Sequence, residues 1–294
     1  MDLRCPHCGD PLDQGARAWV CPRGHSFDRA RQRYVNLLRP GVRVHGDSAA
    51  MLRARRRFLG AGHYAPLAAT IAGEVGAWLA DAGAIPPEAR ALVDCGCGEG
   101  YYLDALADAQ AGGLRAGGWR LYGFDVARDA VRMAAGRRYA GLGAALFAAS
   151  VWERLPLADA GVGAALVVFA PRNATEFARV IAPGGLLLVV TPAPEHLAGA
   201  RAALPALLTP EPEKSARLRA SLAPAFALTA ERAIRFPLAL DAAALASLAE
   251  MTPHRADVDE AALASAAHTV AESAPGGRLV VTAACVVSAF TRAE

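Results

Sequence analysis

The 294-residue sequence has no run of about 18 apolar residues free of charges and turn residues, which argues against a membrane-spanning helix. Residues 1–6 lack the apolar region of a secretory signal, so we expect a cytoplasmic protein. Lysine is almost absent, since Lys214 is the only lysine among 31 basic residues, and aromatic residues make up 6%. Hydrophobic residues nevertheless make up 54%, which excludes a disordered chain and allows a large buried core.

The charges are sorted along the chain. Residues 1–66 contain twelve arginines and five aspartates, a net charge of +7, while the remainder has a net charge of −4. A compositional bias toward arginine would make the residue common everywhere, but it would not sort the sign of the charge by segment. A basic amino-terminal part on an acidic body is typical of proteins that contact a polyanion such as nucleic acid.

The six cysteines are unevenly distributed, unlike the dense disulfide framework of a small secreted domain. Cys5 and Cys8 form a Cys-x-x-Cys pair, and twelve residues separate this pair from Cys21, which pairs with His25. Three thiolates and one imidazole give Zn²⁺ a closed tetrahedral shell, so we predict a structural metal site. A redox Cys-x-x-Cys pair is the alternative, but it would explain neither the second pair nor the spacing.

A basic helix is predicted after Asp47 and Ser48, which resemble a helix cap. At 100° per residue, the apolar side of this helix contains Met51, Leu52, Phe58 and Leu59. The opposite side contains Arg53, Arg56 and Arg57, for which a solvated surface and RNA contact are equally good interpretations. Arg55 falls within the apolar side. Because an unpaired buried guanidinium is costly, we expect Arg55 to pair with a carboxylate or to reach into a site.

The most informative stretch is an apolar strand followed by a glycine turn and a helix, over residues 91–102, as in a doubly wound parallel sheet. Its pattern is acidic-x-Gly-x-Gly-x-Gly, formed by Asp94, Gly96, Gly98 and Gly100. Glycines let the backbone approach a ligand, and the helix amino terminus supplies free N–H groups. A carboxylate beside this turn suits an ammonium-bearing ligand better than a diphosphate. The turn resembles the first motif of class I S-adenosylmethionine (SAM) methyltransferases.

Further strands complete the predicted cofactor pocket. The second strand ends in Asp125, which suits the ribose hydroxyls of SAM, although an NAD enzyme would use such an acid equally well. Ser150 and Val151 follow the third strand, in the turn expected to edge the adenine. The fourth strand ends in the loop 169–173, at the carboxyl edge where substrates bind. The other predicted elements are helices near 65–82, 174–182, 196–208, 214–222 and 241–251 and strands near 186–191, 231–239 and 278–291.

Several motifs occur together in one order along the chain. They are the two zinc knuckles, YVNLL at 34–38, GDS at 46–48, ARR-x-FL-x-x-GHY-x-PL at 54–67, the turn at 94–102, and the segments 193–197 and 251–253. Together they resemble the RlmA-type methyltransferases, the bacterial 23S ribosomal RNA guanine-N1 methyltransferases. The resemblance covers nearly the whole chain and is weakest after residue 255, whereas the glycine turn alone is shared by many families.

The resemblance implies ligands, substrate and assembly. The zinc ligands of the family match Cys5, Cys8, Cys21 and His25, and its SAM-contacting positions match the 94–100 turn, Asp125, Tyr64, Tyr102, Leu103 and His196. The methylated base would be a guanine in hairpin 35 of 23S ribosomal RNA, and the protein would be a homodimer with a basic cleft. Two subgroups of the family target neighbouring guanines, and one includes tylosin-resistance enzymes. The sequence shares features with both, so macrolide resistance stays open.

We therefore expect an α/β fold of the class I SAM-dependent methyltransferase type, with a Rossmann-like doubly wound sheet and a small N-terminal zinc-binding domain. Residues 1–38 would form the zinc-binding RNA-recognition module and residues 39–64 a basic linker and helix. Residues 65–294 would form the methyltransferase domain. We expect the metal to position the recognition module rather than the methyl donor.

Guanine N1 carries a proton at neutral pH, so the enzyme must align the base with the SAM methyl group and assist loss of that proton. Glu153, Arg172 and His196 are the candidates in this pocket, and no spacing singles out one of them as the base. For Glu153 and His196, a surface charge or a simple cofactor contact is an equally good interpretation. Two rival functions stay open, namely a methyltransferase of a small metabolite and a non-catalytic zinc protein that binds RNA.

Overall fold

The structure, a computed structural model, describes residues 3–41, 46–209, 214–252 and 258–294. Within these ranges the chain forms a three-stranded sheet, an eight-stranded sheet and the helices that accompany them. The strands are β1 (Asp13–Gln14), β2 (Ala18–Val20), β3 (Ser26–Asp28), β4 (Tyr34–Asn36), β5 (Ala91–Cys95), β6 (Arg120–Asp125), β7 (Ala145–Ala148), β8 (Val162–Val168), β9 (Ile181–Pro192), β10 (Phe226–Leu240) and β11 (Leu279–Arg292). The helices are α1 (Ala49–Gly60), α2 (Ala65–Asp81), α3 (Tyr101–Ala116), α4 (Arg128–Ala134), α5 (Ala174–Val180), α6 (Ala198–Ala203), α7 (Lys214–Leu222), α8 (Ala242–Met251) and α9 (Glu260–Ser273).

The large sheet has the strand order β10-β11-β9-β8-β5-β6-β7-β4. Strands β4 to β9 pair in parallel, whereas β11 pairs antiparallel with both β9 and β10. β5 and β8 are buried along their whole length, as expected for parallel strands covered on both faces. The chain runs outward from β5 to β7 and then returns to β8 on the other side of β5. Ligands of doubly wound sheets bind outside the carboxyl ends of the strands at such a reversal.

The amino-terminal sheet packs directly on the large sheet. β4 pairs in parallel with β7, which places Val35 opposite Phe147. The rings of Trp19 and Phe147 make an edge contact with centroids 6.4 Å apart, and Leu3 forms a β-bridge with Leu157. All five side chains are buried. The two sheets therefore share one hydrophobic core, which the sequence did not indicate.

The basic helix α1 forms where the sequence predicts it. The Ser48 hydroxyl caps the helix by accepting a hydrogen bond from the Met51 N–H at 3.1 Å. Leu52, Phe58 and Leu59 are buried, as the apolar stripe predicts. The helix packs mainly against α8, and its carboxyl end leads directly to Tyr64.

Some elements differ from the predicted ones. The helix expected over 196–208 is reduced to α6, because Leu197 adopts a left-handed backbone conformation (φ 56°) and Pro205 lies just beyond the helix. Helix α9 is not predicted from the sequence, and its buried side consists of Leu263, Ala267 and Ala271. Alanines occur on every face of such a segment, so the sequence alone did not mark the buried one. No helix among the described residues is long and apolar enough to cross a membrane.

Candidate functional site

Three cysteines and one histidine converge in the amino-terminal sheet. The ligand atoms of Cys5, Cys8, Cys21 and His25 all lie within 4.8 Å of one another. The Sγ atoms of Cys8 and Cys21 are 3.6 Å apart, and His25 Nδ1 lies 3.6 Å from Cys5 Sγ and 3.3 Å from Cys21 Sγ. A tetrahedral zinc ion with Zn–S bonds of about 2.3 Å separates its sulfur ligands by about 3.8 Å. The spacing and the chemistry of these four donors therefore fit a structural zinc ion.

Glycines turn the backbone at both zinc knuckles. Gly9 and Gly24 adopt φ angles of 79° and 83°, in the left-handed region that favours glycine. Their N–H groups donate to the carbonyls of Cys5 and Cys21 at 2.8 and 2.9 Å. Each pair of ligands is therefore held by a tight turn, as the sequence spacing predicts.

The glycine turn after β5 presents bare backbone at the carboxyl edge of the large sheet. A Cβ atom on Gly96, whose φ is 77°, would lie 2.6 Å from the Cβ of Ala170. A Cβ atom on Gly100, whose φ is 84°, would lie 2.7 Å from the hydroxyl of Tyr139. A side chain has no room at either position, so the loop after β8 packs directly against this turn.

Asp94 lies at the carboxyl end of β5 with a side chain that is almost fully buried. Its Oδ2 atom has no hydrogen-bond partner among the described residues. Burial raises the pKa of Asp94 to about 7, and the nearby Asp125 carboxylate adds to this effect. A buried carboxylate without a partner is costly, and a bound ammonium group would compensate it. The residues at this turn therefore fit the amino-acid end of SAM.

Hydrogen bonds tie together the loops that follow β6, β7 and β8. Asp125 Oδ2 accepts from the Gly98 N–H at 3.0 Å, and its Oδ1 accepts from the Ala127 N–H at 2.9 Å. Each of these oxygens keeps a second lone pair for a ligand hydroxyl. Asn173 Nδ2 donates to the Val151 carbonyl at 3.0 Å, next to the buried Ser150. The structure thus gathers the predicted ribose and adenine positions around the glycine turn.

Tyr64 and His196, which are far apart in sequence, form a buried pair. The Tyr64 hydroxyl lies 3.1 Å from His196 Nε2, and His196 Nδ1 lies 2.8 Å from the Ala284 carbonyl. Burial lowers the pKa of His196 to about 4, so its ring is neutral at physiological pH, and Nδ1 also lies 3.2 Å from the backbone nitrogen of Ala284. Both ring nitrogens are therefore engaged within the protein. Tyr102 is partly buried at the start of α3, and Leu103 is fully buried in the core.

The other two catalytic candidates lie in the loops at the carboxyl edge. Glu153 is partly buried in the turn after β7, where its N–H donates to the Ser150 carbonyl at 3.1 Å. Arg172 is partly buried in the loop after β8 and forms no ion pair with any described residue. Burial lowers the pKa of Arg172. A guanidinium still remains charged at neutral pH, so this uncompensated charge is available to a ligand.

The four arginines of α1 have different surroundings. Arg55 forms an ion pair with Asp47 and donates to the Met251 carbonyl at 3.4 Å. Its Nη1 atom would lie 3.6 Å from a Cβ on Gly98, so Arg55 both pairs with a carboxylate and reaches the glycine turn. Arg53, Arg56 and Arg57 are all exposed, and Arg57 pairs with Glu250 at 2.6 Å.

An ionic cluster that the sequence did not indicate lies beside the turn. Arg137 pairs with the buried Glu99 and, at 3.0 Å, with Asp104. Together with Arg56 and Arg138 it lines an open cavity of about 700 Å³. Arg137 follows α4 in the sequence, more than 30 residues after Glu99 and Asp104. No local pattern around these two acids indicated that an arginine would reach them.

Comparisons with known proteins show which sequences this chain resembles. Residues 3–40 match the zinc-ribbon family described as "RlmA, N-terminal". A provisionally named 23S rRNA (guanine-N(1)-)-methyltransferase from Micromonospora griseorubida is 46% identical over 214 residues, which cover 66% of this chain and 67% of the relative. The 23S rRNA (guanine(748)-N(1))-methyltransferase of Streptomyces fradiae is 43% identical, over 67% of this chain and 65% of the relative. A provisionally named relative of the same class from Bacillus subtilis is 32% identical, over 69% and 68%.

The zinc-ribbon match and the relatives at 32% to 46% identity thus indicate the same family. The chain belongs to the 23S ribosomal RNA guanine-N1 methyltransferase family.

Proposed function

We propose that this chain uses SAM to methylate N1 of a guanine in hairpin 35 of 23S ribosomal RNA. The observation that carries the proposal is the unpaired Asp94 carboxylate, which is buried beside bare glycine backbone in the same packed unit as the zinc ribbon. This combination suits a cofactor with an ammonium group, and the named relatives act on guanine N1 of 23S rRNA.

When bound, SAM supplies an electrophilic methyl group. We assign the ammonium group to Asp94, the ribose hydroxyls to Asp125 and the adenine edge to Ser150 and Val151. The backbone of Gly96, Gly98 and Gly100 would lie against the cofactor. Tyr64, Tyr102, Leu103 and His196 complete the proposed SAM-binding residues.

The acid–base assignments follow from the surroundings of each candidate. His196 is engaged at both ring nitrogens, so we assign it to positioning Tyr64 rather than to proton transfer. Arg172 cannot accept a proton because its guanidinium remains charged. Glu153 is therefore our candidate for accepting the N1 proton. Glu153→Gln should lower kcat in RNA methylation while calorimetry finds unchanged SAM affinity, and an unchanged kcat would refute this role.

The proposed layout keeps three parts: a zinc-binding RNA-recognition module at 1–38, a basic linker and helix at 39–64, and a methyltransferase domain at 65–294. We infer that the RNA contacts the arginines of α1, of which Arg53 and Arg56 have exposed side chains. A cytoplasmic homodimer is proposed on the family resemblance, and light scattering of purified protein would test the dimer.

Primer extension tests the reaction directly, because a methyl group on N1 blocks base pairing at that nucleotide. Purified protein, tritiated SAM and an unmodified hairpin 35 transcript should give label in RNA and a stop at one guanine. The matched control is a transcript with that guanine replaced by adenine, which should remain unlabelled. If wild-type protein labels neither transcript, the proposed function is refuted.

Two further measurements separate the rival functions. A small-metabolite methyltransferase would turn over SAM with cell extract freed of RNA, and a non-catalytic RNA-binding protein would show no SAM-induced thermal stabilisation.

The proposed methylation also predicts drug resistance. Expression of this protein in a susceptible bacterium should raise the tolerated tylosin concentration if the modified guanine lies at the drug site.

A further inference from the structure

Phe169 stands out among the aromatic residues at the carboxyl edge of the large sheet. It is the first residue after β8 and is 40% exposed, although most large apolar side chains nearby are buried. Its backbone adopts φ 54°, in the left-handed region that bulky residues rarely occupy. Strain of this kind persists only where the surrounding structure holds it, and it is concentrated at ligand sites.

A buried scaffold holds Phe169 in this conformation. Its N–H donates to the Val190 carbonyl at 3.2 Å. The Tyr64 ring makes an edge contact at 6.3 Å between centroids, and the His196 ring lies at 5.9 Å. Tyr64 and His196 are themselves fixed by their mutual contact of 3.1 Å. One side of Phe169 is therefore packed on a rigid pair of rings, while part of the side chain remains open to solvent.

The position of Phe169 relative to the cofactor turn is set by the next residue. The Cβ of Ala170 lies 2.6 Å from the place where a Cβ on Gly96 would be. Phe169 is therefore adjacent to the bare backbone that we assign to SAM. A planar base resting on this ring would lie near the reacting methyl group.

Arg172 belongs to the same loop, and that loop is anchored at its far end. Asn173 caps α5 by accepting from the Glu176 N–H at 3.3 Å and donates to the Val151 carbonyl at 3.0 Å. Arg172 thus sits between two fixed points, partly buried and without an ion pair among the described residues. An uncompensated cation in such a place favours an electron-rich acceptor.

We propose that Phe169 is the surface on which the target guanine stacks and that Arg172 determines guanine specificity by donating to O6. This inference rests on the proposed function and identifies the groups that hold its substrate. Aromatic rings are the usual stacking partners of unpaired RNA bases, and arginine is the commonest partner of guanine O6 and N7. Adenine presents an amino donor instead of O6, so the Arg172 guanidinium disfavours it.

Arg172 also assists the chemistry. As the N1–H bond breaks, its proton passes to the Glu153 carboxylate and negative charge spreads from N1 onto O6. The Arg172 guanidinium stabilises this charge on O6. The N1 lone pair then forms the bond to the methyl carbon as the carbon–sulfur bond breaks. The products are N1-methylguanine and S-adenosylhomocysteine, and no further reactant is needed.

The test of stacking compares Phe169→Leu with Phe169→Tyr, which keeps an aromatic ring. Base–aromatic stacking is worth about 1–3 kcal/mol, so Phe169→Leu should lower kcat/KM for the RNA by about 5- to 150-fold. Phe169→Tyr should remain close to wild type, as should Leu228→Ala, which alters another exposed apolar side chain. Calorimetry should find unchanged SAM affinity in all three variants.

A fluorescent probe reports stacking without catalysis. In RNA with 2-aminopurine at the target position, wild-type protein and Phe169→Tyr should quench the probe more than Phe169→Leu does. This comparison distinguishes stacking from a merely structural role, because melting temperature and SAM affinity are measured on the same proteins. Equal quenching and equal kcat/KM in Phe169→Leu and wild type would overturn the assignment of Phe169.

The test of Arg172 is a pH–rate profile under single-turnover conditions. Arg172→Gln should lower the rate by about 5- to 150-fold near neutral pH, and the rate should recover as alkaline pH removes the N1 proton. Arg115→Gln, at the opposite edge of the sheet, should leave the profile unchanged. If the pH–rate profile of Arg172→Gln ran parallel to that of wild-type protein, with no recovery of the rate at alkaline pH, the proposed role of Arg172 would be overturned. Absence of RNA methylation by wild-type protein would instead refute the proposed function, and this inference with it.

Discussion

At the scale of single residues, Asp94 is the buried carboxylate whose charge state matters most for the proposed cofactor site. Its carboxylate is buried, one oxygen has no partner within the described residues, and burial raises its pKa to about 7. Below about pH 7 the protonated form is thus favoured in the ligand-free protein. A bound ammonium group would favour the ionised form, so SAM binding and deprotonation of Asp94 should be linked.

This linkage predicts a pH-dependent affinity. Because the raised pKa leaves Asp94 ionised only above about pH 7, SAM affinity should weaken as pH falls from about 8.5 to about 5.5. Asp94→Asn should bind SAM weakly and with little dependence on pH over the same range. Calorimetric titrations at several pH values measure both proteins, and a flat wild-type profile would contradict the prediction.

The glycine at position 96 gives a steric prediction. Gly96→Ala would place a Cβ atom 2.6 Å from Ala170 Cβ and force a left-handed alanine. We expect the free energy of unfolding to fall by about 1–3 kcal/mol and SAM binding to weaken, because the loop after β8 must move.

The matched control is Gly73→Ala within α2, where a Cβ atom meets nothing within 4 Å. A glycine in a helix interior costs up to about 1 kcal/mol relative to alanine, so this substitution should stabilise the protein. Denaturant unfolding measures both variants. If Gly96→Ala and Gly73→Ala changed the free energy of unfolding equally, the contact between Gly96 and Ala170 would not limit which residue can occupy position 96.

At the scale of elements, the zinc ribbon and the large sheet act as one packed unit. Trp19 contacts Phe147, and the Leu37 N–H donates to the Ala148 carbonyl at 2.9 Å, two residues before Ser150. From the sequence we expect the metal to position the RNA-recognition module rather than the methyl donor. The shared core instead connects the ribbon to the turn that we assign to the adenine, so losing zinc should affect both.

Removal of the metal tests this coupling. Cys8→Ser should reduce bound zinc, lower the melting temperature and weaken SAM binding as well as RNA methylation. Since 1 kcal/mol shifts the melting temperature of a large domain by roughly 2–4 °C, a loss of about 5 °C or more is expected. His7→Ala, which alters an exposed neighbour of the cluster, should retain the metal. Unchanged SAM affinity in metal-free Cys8→Ser would contradict the coupling.

At the scale of the whole molecule, the charge asymmetry indicates how the proposed RNA approaches. The amino-terminal 66 residues carry a net charge of +7 against −4 for the remainder. Within α1, Arg57 pairs with Glu250, and Arg55 pairs with Asp47. The exposed Arg53 and Arg56 are therefore the α1 arginines best placed to neutralise phosphates.

Salt dependence of RNA binding measures this contribution. Each phosphate contact adds about 0.7–0.9 to the slope of log affinity against log salt concentration, so Arg53→Gln and Arg56→Gln should each reduce the slope by about that amount. Arg115→Gln, which lies at the end of α3 away from the proposed site, should leave the slope unchanged. Equal slopes in all four proteins would show that neither Arg53 nor Arg56 contacts a phosphate.

Features that depend on short-range geometry could be predicted from the order of the residues. The four residues of the Cys and His cluster lie within residues 5–25, where glycines turn the backbone, and the seven residues from Asp94 to Gly100 encode a strand end and a glycine turn. The helix α1 and its apolar side follow from the 3.6-residue period. Such patterns are legible because backbone conformation and spacing are set by neighbouring residues.

Contacts between segments that are distant in sequence became visible in the folded structure. Tyr64 and His196 meet across 132 residues, and Arg55 reaches Met251 across 196. The packing of Trp19 on Phe147 and the exposure of Phe169 likewise had no local signal. The physical reason is that burial of apolar surface is non-directional, so many packings satisfy one pattern of hydrophobic residues, and only the assembled core selects which side chains meet.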